Sequence, residues 1–190
     1  MKVKRWKLFL DFEKEEEWLN KMVAEGLAMT HYTFGRYTFE ECAPGEYNYR
    51  IELLGRGVTN SDNVEYIRFM EDNGVEHVDC YANWVYFRKK TTEDSFTFNI
   101  YTDLESRIAH YQRIIRLFLL LVVLFIVSLV SQVSVVFSFV ESGFQVTTIH
   151  VANFATLSAT IVLAVLLPGR ILPRLAKKVK MMKRERDIRE

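Results

Sequence analysis

Residues 117–140 carry no charged side chain and read LFLLLVVLFIVSLVSQVSVVFSFV. About 24 helical residues at ~1.5 Å each span roughly 36 Å, enough to cross a ~30 Å hydrocarbon core with some tilt. In hydrocarbon every backbone polar group has to be bonded within the segment, so such a run folds as a helix. A second run, 149–167, is also free of Asp, Glu, Lys and Arg. The chain is thereby divided into a polar first part and a helical hairpin, and few soluble architectures remain open to it.

Charge gives the hairpin a direction. After the second run come Arg170, Arg174, Lys177, Lys178, Lys180, Lys183, Arg184, Arg186 and Arg189, and before the first run lie Arg107, Arg113 and Arg116. The loop 141–148 has neither Lys nor Arg. Basic residues stay on the cytoplasmic side of short loops. The reading is a multi-pass cell (plasma) membrane protein with both termini cytoplasmic. The expected divisions are 1–92 soluble domain, 93–116 connecting strand and amphipathic helix, 117–140 transmembrane helix 1, 141–148 external loop, 149–168 transmembrane helix 2 and 169–190 basic tail. No cleavable leader is visible in residues 1–20, which lack an apolar core. Arg170, Arg174, Lys177 and Lys178 are expected at a lipid bilayer with anionic headgroups, and direct nucleic-acid binding is not expected.

The first part reads as α+β. Lys4–Asp11 alternates, with Trp6, Leu8 and Leu10 on one side, which predicts a strand. Glu13–Glu25 places Trp18, Leu19, Met22 and Val23 at helical spacing, and Gly26 suits the position that ends a helix. Residues 28–41 read as extended, and Tyr47–Leu53 alternates cleanly. Ser61 or Asp62 can cap a second helix that stops at Asn73-Gly74, and Val75–Tyr86 is again extended. The order strand–helix–strand–strand–helix–strand predicts a ferredoxin-like βαββαβ domain, one four-stranded sheet with two helices on one face. Phe96–Tyr101 adds a short strand, and Thr102 with Glu105 forms a capping box for a helix that continues into the first membrane run.

Aromatic residues crowd the predicted strands. Tyr47, Tyr49, Trp84 and Tyr86 are the candidates for a ligand- or partner-binding sheet face; packing into the core is the simpler use of the same residues. In the membrane part, Gln132 and Asn153 are candidate interhelical hydrogen-bonding groups. Thr156 and Thr160 belong to small-residue spacings that let helices approach closely. An antiparallel pair, with homo-oligomer formation as a further outcome, accounts for these without a transport path, since no charge lies within the spans.

No catalytic constellation is visible, and an enzyme is not expected. Gly55-Arg56-Gly57 is too short for a phosphate loop, there is no GxSxG, and the four histidines are scattered. No metal site and no cofactor are expected, and Cys42 and Cys80 are expected as reduced thiols. The acidic cluster Glu13, Glu15, Glu16 and Glu17 reads as a solvated face matched to a helix dipole.

The stretches DFEKEEEWLNKMVAEGL, YTFEECAPGEYNYRIELL, EYIRFMEDNGVEHV, WVYFRKK and IYTDLESRIAHYQRI together resemble the bacterial domain of unknown function family 2812, over roughly residues 4–115. The resemblance implies paired spans after the domain and genes that neighbour a PadR-type transcription repressor. It brings no catalytic residues. The expectation is a non-enzymatic, membrane-anchored regulatory or sensory protein that binds a protein partner, such as that repressor, or a small hydrophobic ligand. The alternatives are an accessory membrane subunit of a transporter or export complex, and a membrane-surface enzyme.

Overall fold

The computed structural model describes residues 2–55, 59–91, 104–141, 143 and 148–189, without the side chains of 133, 149–150, 163–168, 170 and 189. The elements run β1 (Lys2–Trp6), α1 (Phe12–Ala24), β2 (Leu27–Thr33), β3 (Arg36–Glu41), β4 (Tyr47–Leu53), α2 (Ser61–Asp72), β5 (Glu76–Tyr81), β6 (Trp84–Lys90), α3 (Leu104–Glu141) and α4 (Thr148–Arg189). They group into two units, Met1–His110 and Tyr111–Glu190.

The first unit is mixed α+β, but it is not a single four-stranded sheet. It holds two three-stranded sheets, ordered β1-β3-β2 and β4-β6-β5, antiparallel throughout. The ferredoxin-like reading is corrected at two places. The extended stretches at 28–41 and 75–86 each fold back into a hairpin, which adds two strands. The turns are Phe34-Gly35, both at positive φ (40° and 76°), and Ala82-Asn83, with Ala82 at φ 53°. A two-residue hairpin needs such left-handed backbone, and its usual marker is Asn-Gly or Asp-Gly. Phe-Gly and Ala-Asn carry a weaker signal. The first strand also ends at Trp6, short of the expected Asp11.

The eight elements form two βαββ repeats of identical strand order. Each helix ends on a glycine at positive φ, Gly26 and Gly74, which supplies the left-handed residue that terminates it. The second strand of each repeat carries a register shift, Met29/His31 in one and His77/Asp79 in the other. The helices are capped by Asp11 and Asn60, whose side chains accept from the N–H of Glu13 and Asp62. The second cap thus falls one residue before the expected Ser61.

Two cores result. Leu19, Met22 and Val23 of α1 pack with Met29, Tyr37 and Phe39 of the first sheet and with Tyr49, Ile51 and Tyr86 of the second. Met70 of α2 packs with Val85, Phe87, Leu54 and Val75. Neighbouring strand residues point to opposite faces, so Val85 and Phe87 face α2 while Tyr86 faces α1. The second sheet is covered on both sides, where the ferredoxin-like reading had both helices on one.

Helix α3, whose first turns belong to the first unit and whose remainder belongs to the second, runs unbroken from Leu104 to Glu141 and is long and apolar enough to cross a membrane. A shorter apolar stretch, Val151–Val162, lies in α4. Phe139 and Phe154 meet edge-on at 5.5 Å, so the two helices touch. The expected strand at Phe96–Tyr101 and the Thr102 cap lie outside the described residues.

Candidate functional site

Helix α1 carries a carboxylate into the core. Glu15 stands one turn before Leu19 in the buried stripe Glu15, Leu19, Met22 and Val23, and it is only 8% exposed. Tyr37 of β3 and Tyr86 of β6 each donate their phenol to Glu15 Oε1, both at 2.7 Å. One oxygen therefore ties α1 to both sheets. Tyr32 stacks obliquely on Tyr37 at 4.7 Å and on Tyr86 at 5.1 Å, and Tyr81 meets it edge-on at 5.4 Å. Trp18 closes the near side against Tyr37 at 4.8 Å.

Burial holds the Glu15 carboxyl above its ordinary range, and the two phenol hydrogen bonds pull the other way. Burial also pushes Tyr37 and Tyr86 far up, with the Glu15 charge adding to it. Both phenols therefore remain donors at any physiological pH. The arrangement is a proton-binding group that sits at the seam of two repeats and is held by neutral donors.

The neighbouring turn of α1 works on a strand edge. Asn20 bonds the backbone of Tyr49 in both directions, accepting from its N–H at 2.7 Å and donating to its carbonyl at 3.1 Å. Glu16 accepts from the Ile51 N–H at 3.1 Å and from Arg50 Nη1 at 2.9 Å. Side chains of α1 thus stand in for the missing neighbour strand of β4, an edge that would otherwise be open to pairing. Across the seam, Asp79 accepts from the Tyr32 N–H at 2.6 Å and from His31 Nδ1 at 2.7 Å, which joins β2 to β5.

The aromatic candidates have divided fates. Tyr49 and Tyr86 are core residues, 0% and 2% exposed, and offer no surface. Tyr49 donates to the Met29 carbonyl at 2.6 Å, and burial pushes its phenol up to about 12. Tyr47 and Trp84 are half-buried against the same core. Trp84 lies 5.9 Å from Phe12, which in turn meets His110 edge-on at 5.3 Å. The solvated face expected of the acidic cluster is corrected at two positions: Glu15 is buried and Glu16 half-buried. The signal was present in the spacing: Glu15 occupies the apolar stripe, four residues before Leu19.

In the second unit Gln132 and Asn153 line one small gap of about 10 Å³, together with Val135, Val136, Phe154 and Leu157. Gln132 donates to Ser128 Oγ at 3.3 Å, and its buried Oε1 has no donor among the described residues. Thr156 and Thr160 spend their hydroxyls on their own helix, bonding the carbonyls of Asn153 and Thr156. Lys178 Nζ lies 5.9 Å over the Tyr111 ring, Arg174 and Lys177 are exposed, and the Arg170 side chain is outside the described set. A second, open groove of about 490 Å³ between α3 and α4 is lined by Gln112, Ile115, Lys180, Lys183 and Arg184. Among the described residues no three His, Cys, Asp or Glu side chains group so as to hold a metal ion.

Against known proteins, the family model described as "Protein of unknown function (DUF2812)" matches residues 11–123. The chain belongs to this family. The match begins at the α1 cap and ends inside the apolar part of α3, so the family's shared segment contains the Glu15 cluster and the passage into the long helix. No curated protein and no solved structure matches the chain.

Proposed function

We propose that this DUF2812 member is a non-enzymatic regulatory protein anchored in the cell membrane. Its α3 and α4 form a two-helix transmembrane hairpin with both termini in the cytoplasm, and the α+β unit binds a protein partner of the PadR-type repressor class or a small hydrophobic ligand. The observation that carries this reading is the Glu15–Tyr37–Tyr86 cluster. Its polar groups are spent on one another in a position where a change of charge would loosen the joint between the two repeats. The same unit ends in α3, which is unbroken past residue 110. A change at the seam therefore has a continuous helix along which to act.

The test is purification of the tagged full chain from membranes in mild detergent, followed by mass spectrometry. Co-purification of a DNA-binding repressor is the expected result. If no partner appears while the protein binds a small hydrophobic molecule tightly, the ligand form of the proposal stands and the repressor form falls. A transporter subunit in the same fraction would favour the second reading, an accessory subunit. The buried Gln132 Oε1, which has no donor among the described residues, supports that reading, because a rearranged helix contact would satisfy it. A reporter fused after Glu190 checks topology: a cytoplasmic signal is expected, and an extracellular one removes the hairpin.

A further inference from the structure

The first sheet ends in a cluster that its own core does not use. Trp6, Leu8, Leu10 and Phe34 are 68%, 52%, 62% and 66% exposed. Trp6, Leu8 and Phe34 lie at one end of the sheet: Trp6 pairs with Arg36 in the ladder, the Lys7 N–H bonds the Gly35 carbonyl at 2.8 Å, and Leu8 lies directly against Gly35. On the same sheet face as Trp6 stand the exposed cations Lys4 and Arg36; Arg5 belongs to the opposite face, and Lys7 Nζ lies over the Phe9 and Trp18 rings at 4.7 and 5.0 Å. Among the described residues, Lys4, Arg5 and Arg36 form no ion pair. Of the acids in and beside β1–β3, Asp11 caps α1 and Glu40 pairs with Lys2 at 3.4 Å.

We propose that this Trp6 end is a docking surface for an anionic membrane leaflet. The argument is one of complementarity. Bulky apolar side chains projecting beside the exposed cations Lys4 and Arg36 match a surface that is negatively charged outside and apolar a few ångströms in. Tryptophan is the side chain that favours that boundary. Phe34 adds a second observation. It sits at φ 40°, a conformation that costs a bulky residue strain and that glycine adopts freely. An aromatic ring held there, two-thirds exposed, does nothing for the core and is placed to meet something outside. The leaflet is the partner at hand because the same chain carries α3, long and apolar enough to enter a bilayer. The inference rests on the anchored reading above.

The experiment uses the full chain with Cys42→Ser and Cys80→Ser, reconstituted into vesicles of phosphatidylcholine alone or of phosphatidylcholine mixed with phosphatidylglycerol. An environment-sensitive nitrobenzoxadiazole label is placed by Phe34→Cys, by Glu71→Cys on the exposed end of α2, or by Val123→Cys within α3. The label at 34 is expected to shift to the blue and resist aqueous quencher in the anionic vesicles only. The label at 71 should stay in water in both. Combining Lys4→Glu and Arg36→Glu should abolish the shift at 34; if that variant loses its near-ultraviolet dichroism, the pair Lys4→Gln and Arg36→Gln should reduce it. A label at 34 that stays in water in both compositions overturns the docking. So does an equal shift in neutral and anionic vesicles, which would show burial that needs no lipid charge. A label at 123 that stays in water overturns the anchored reading, and the docking with it.

Discussion

The two βαββ repeats share strand order, bulge position, turn position and the glycine after the helix, yet they do different work. In the second repeat the sheet is covered on both faces, by α2 on one and by α1 on the other. In the first, α1 covers one face, and the other carries Lys4, Trp6 and Arg36 in the open at its end. The difference comes from a single helix serving two sheets. α1 can do so because its stripe ends in Glu15, which two phenols from two sheets can share. Duplication supplies equivalent faces, and one asymmetric helix leaves one of them free. The lesson is that repeated topology does not imply repeated exposure, and the exposed copy is the one to examine for binding.

The comparison can be broken most directly in the cores. Phe39 and Phe87 hold matching places in the two repeats and are both 0% exposed. Phe39→Ala and Phe87→Ala are each expected to cost about 3–5 kcal/mol, read from the shift of the denaturation midpoint. A far milder loss at one of them would mean that the two cores are not equivalent. Next in size is the seam. Tyr86→Phe removes one donor to Glu15 and should cost about 1–3 kcal/mol, because it leaves a buried acceptor short of a partner.

The pH dependence follows from the raised Glu15 value. The folded protein holds that proton more tightly than the unfolded chain does. The corresponding stability is fully present below the ordinary carboxyl value of 4.5 and is lost as pH rises through the raised folded value. Glu16 is raised too, chiefly by burial, and contributes a slope of the same sign. Glu15→Gln keeps an acceptor for both phenols and removes one titration. Thermal unfolding of this variant from pH 4 upward should therefore show a shallower fall than the wild type. Identical slopes would show that Glu15 does not titrate in that window.

Smaller effects sharpen the contrast at the turns. Ala82→Gly relieves a left-handed backbone and should raise stability by about 1 kcal/mol. Phe34→Gly should do the same in the equivalent turn, while losing the vesicle response of the Trp6 end. If it destabilises instead, Phe34 is a structural anchor. Lys2→Ala removes an exposed ion pair with Glu40, and a change beyond about 1 kcal/mol would contradict its surface character.

Much of this was legible beforehand, for local reasons. The α1 and α2 helices, the glycines that end them, the alternating β4 strand and the continuous α3 follow from periodicity and capping over a few residues. The hairpins at Phe34-Gly35 and Ala82-Asn83 were not legible, because neither dipeptide is the usual one for positive φ. The burial of Glu15 could be suspected from its place four residues before Leu19. Nothing local named Tyr37 and Tyr86 as its partners, which come from far along the chain.

The sequence alone determined that this chain joins an α+β unit to an apolar helix of membrane-crossing length, since hydropathy and charge act locally and need no partner to be read. Only the tertiary structure decided that there are two sheets rather than one and that α1 lies against both. It also decided that a carboxylate sits buried at their seam while Trp6 and Phe34 are left outside. Those outcomes depend on which distant faces meet, and burial follows from that meeting rather than from any residue's own preference.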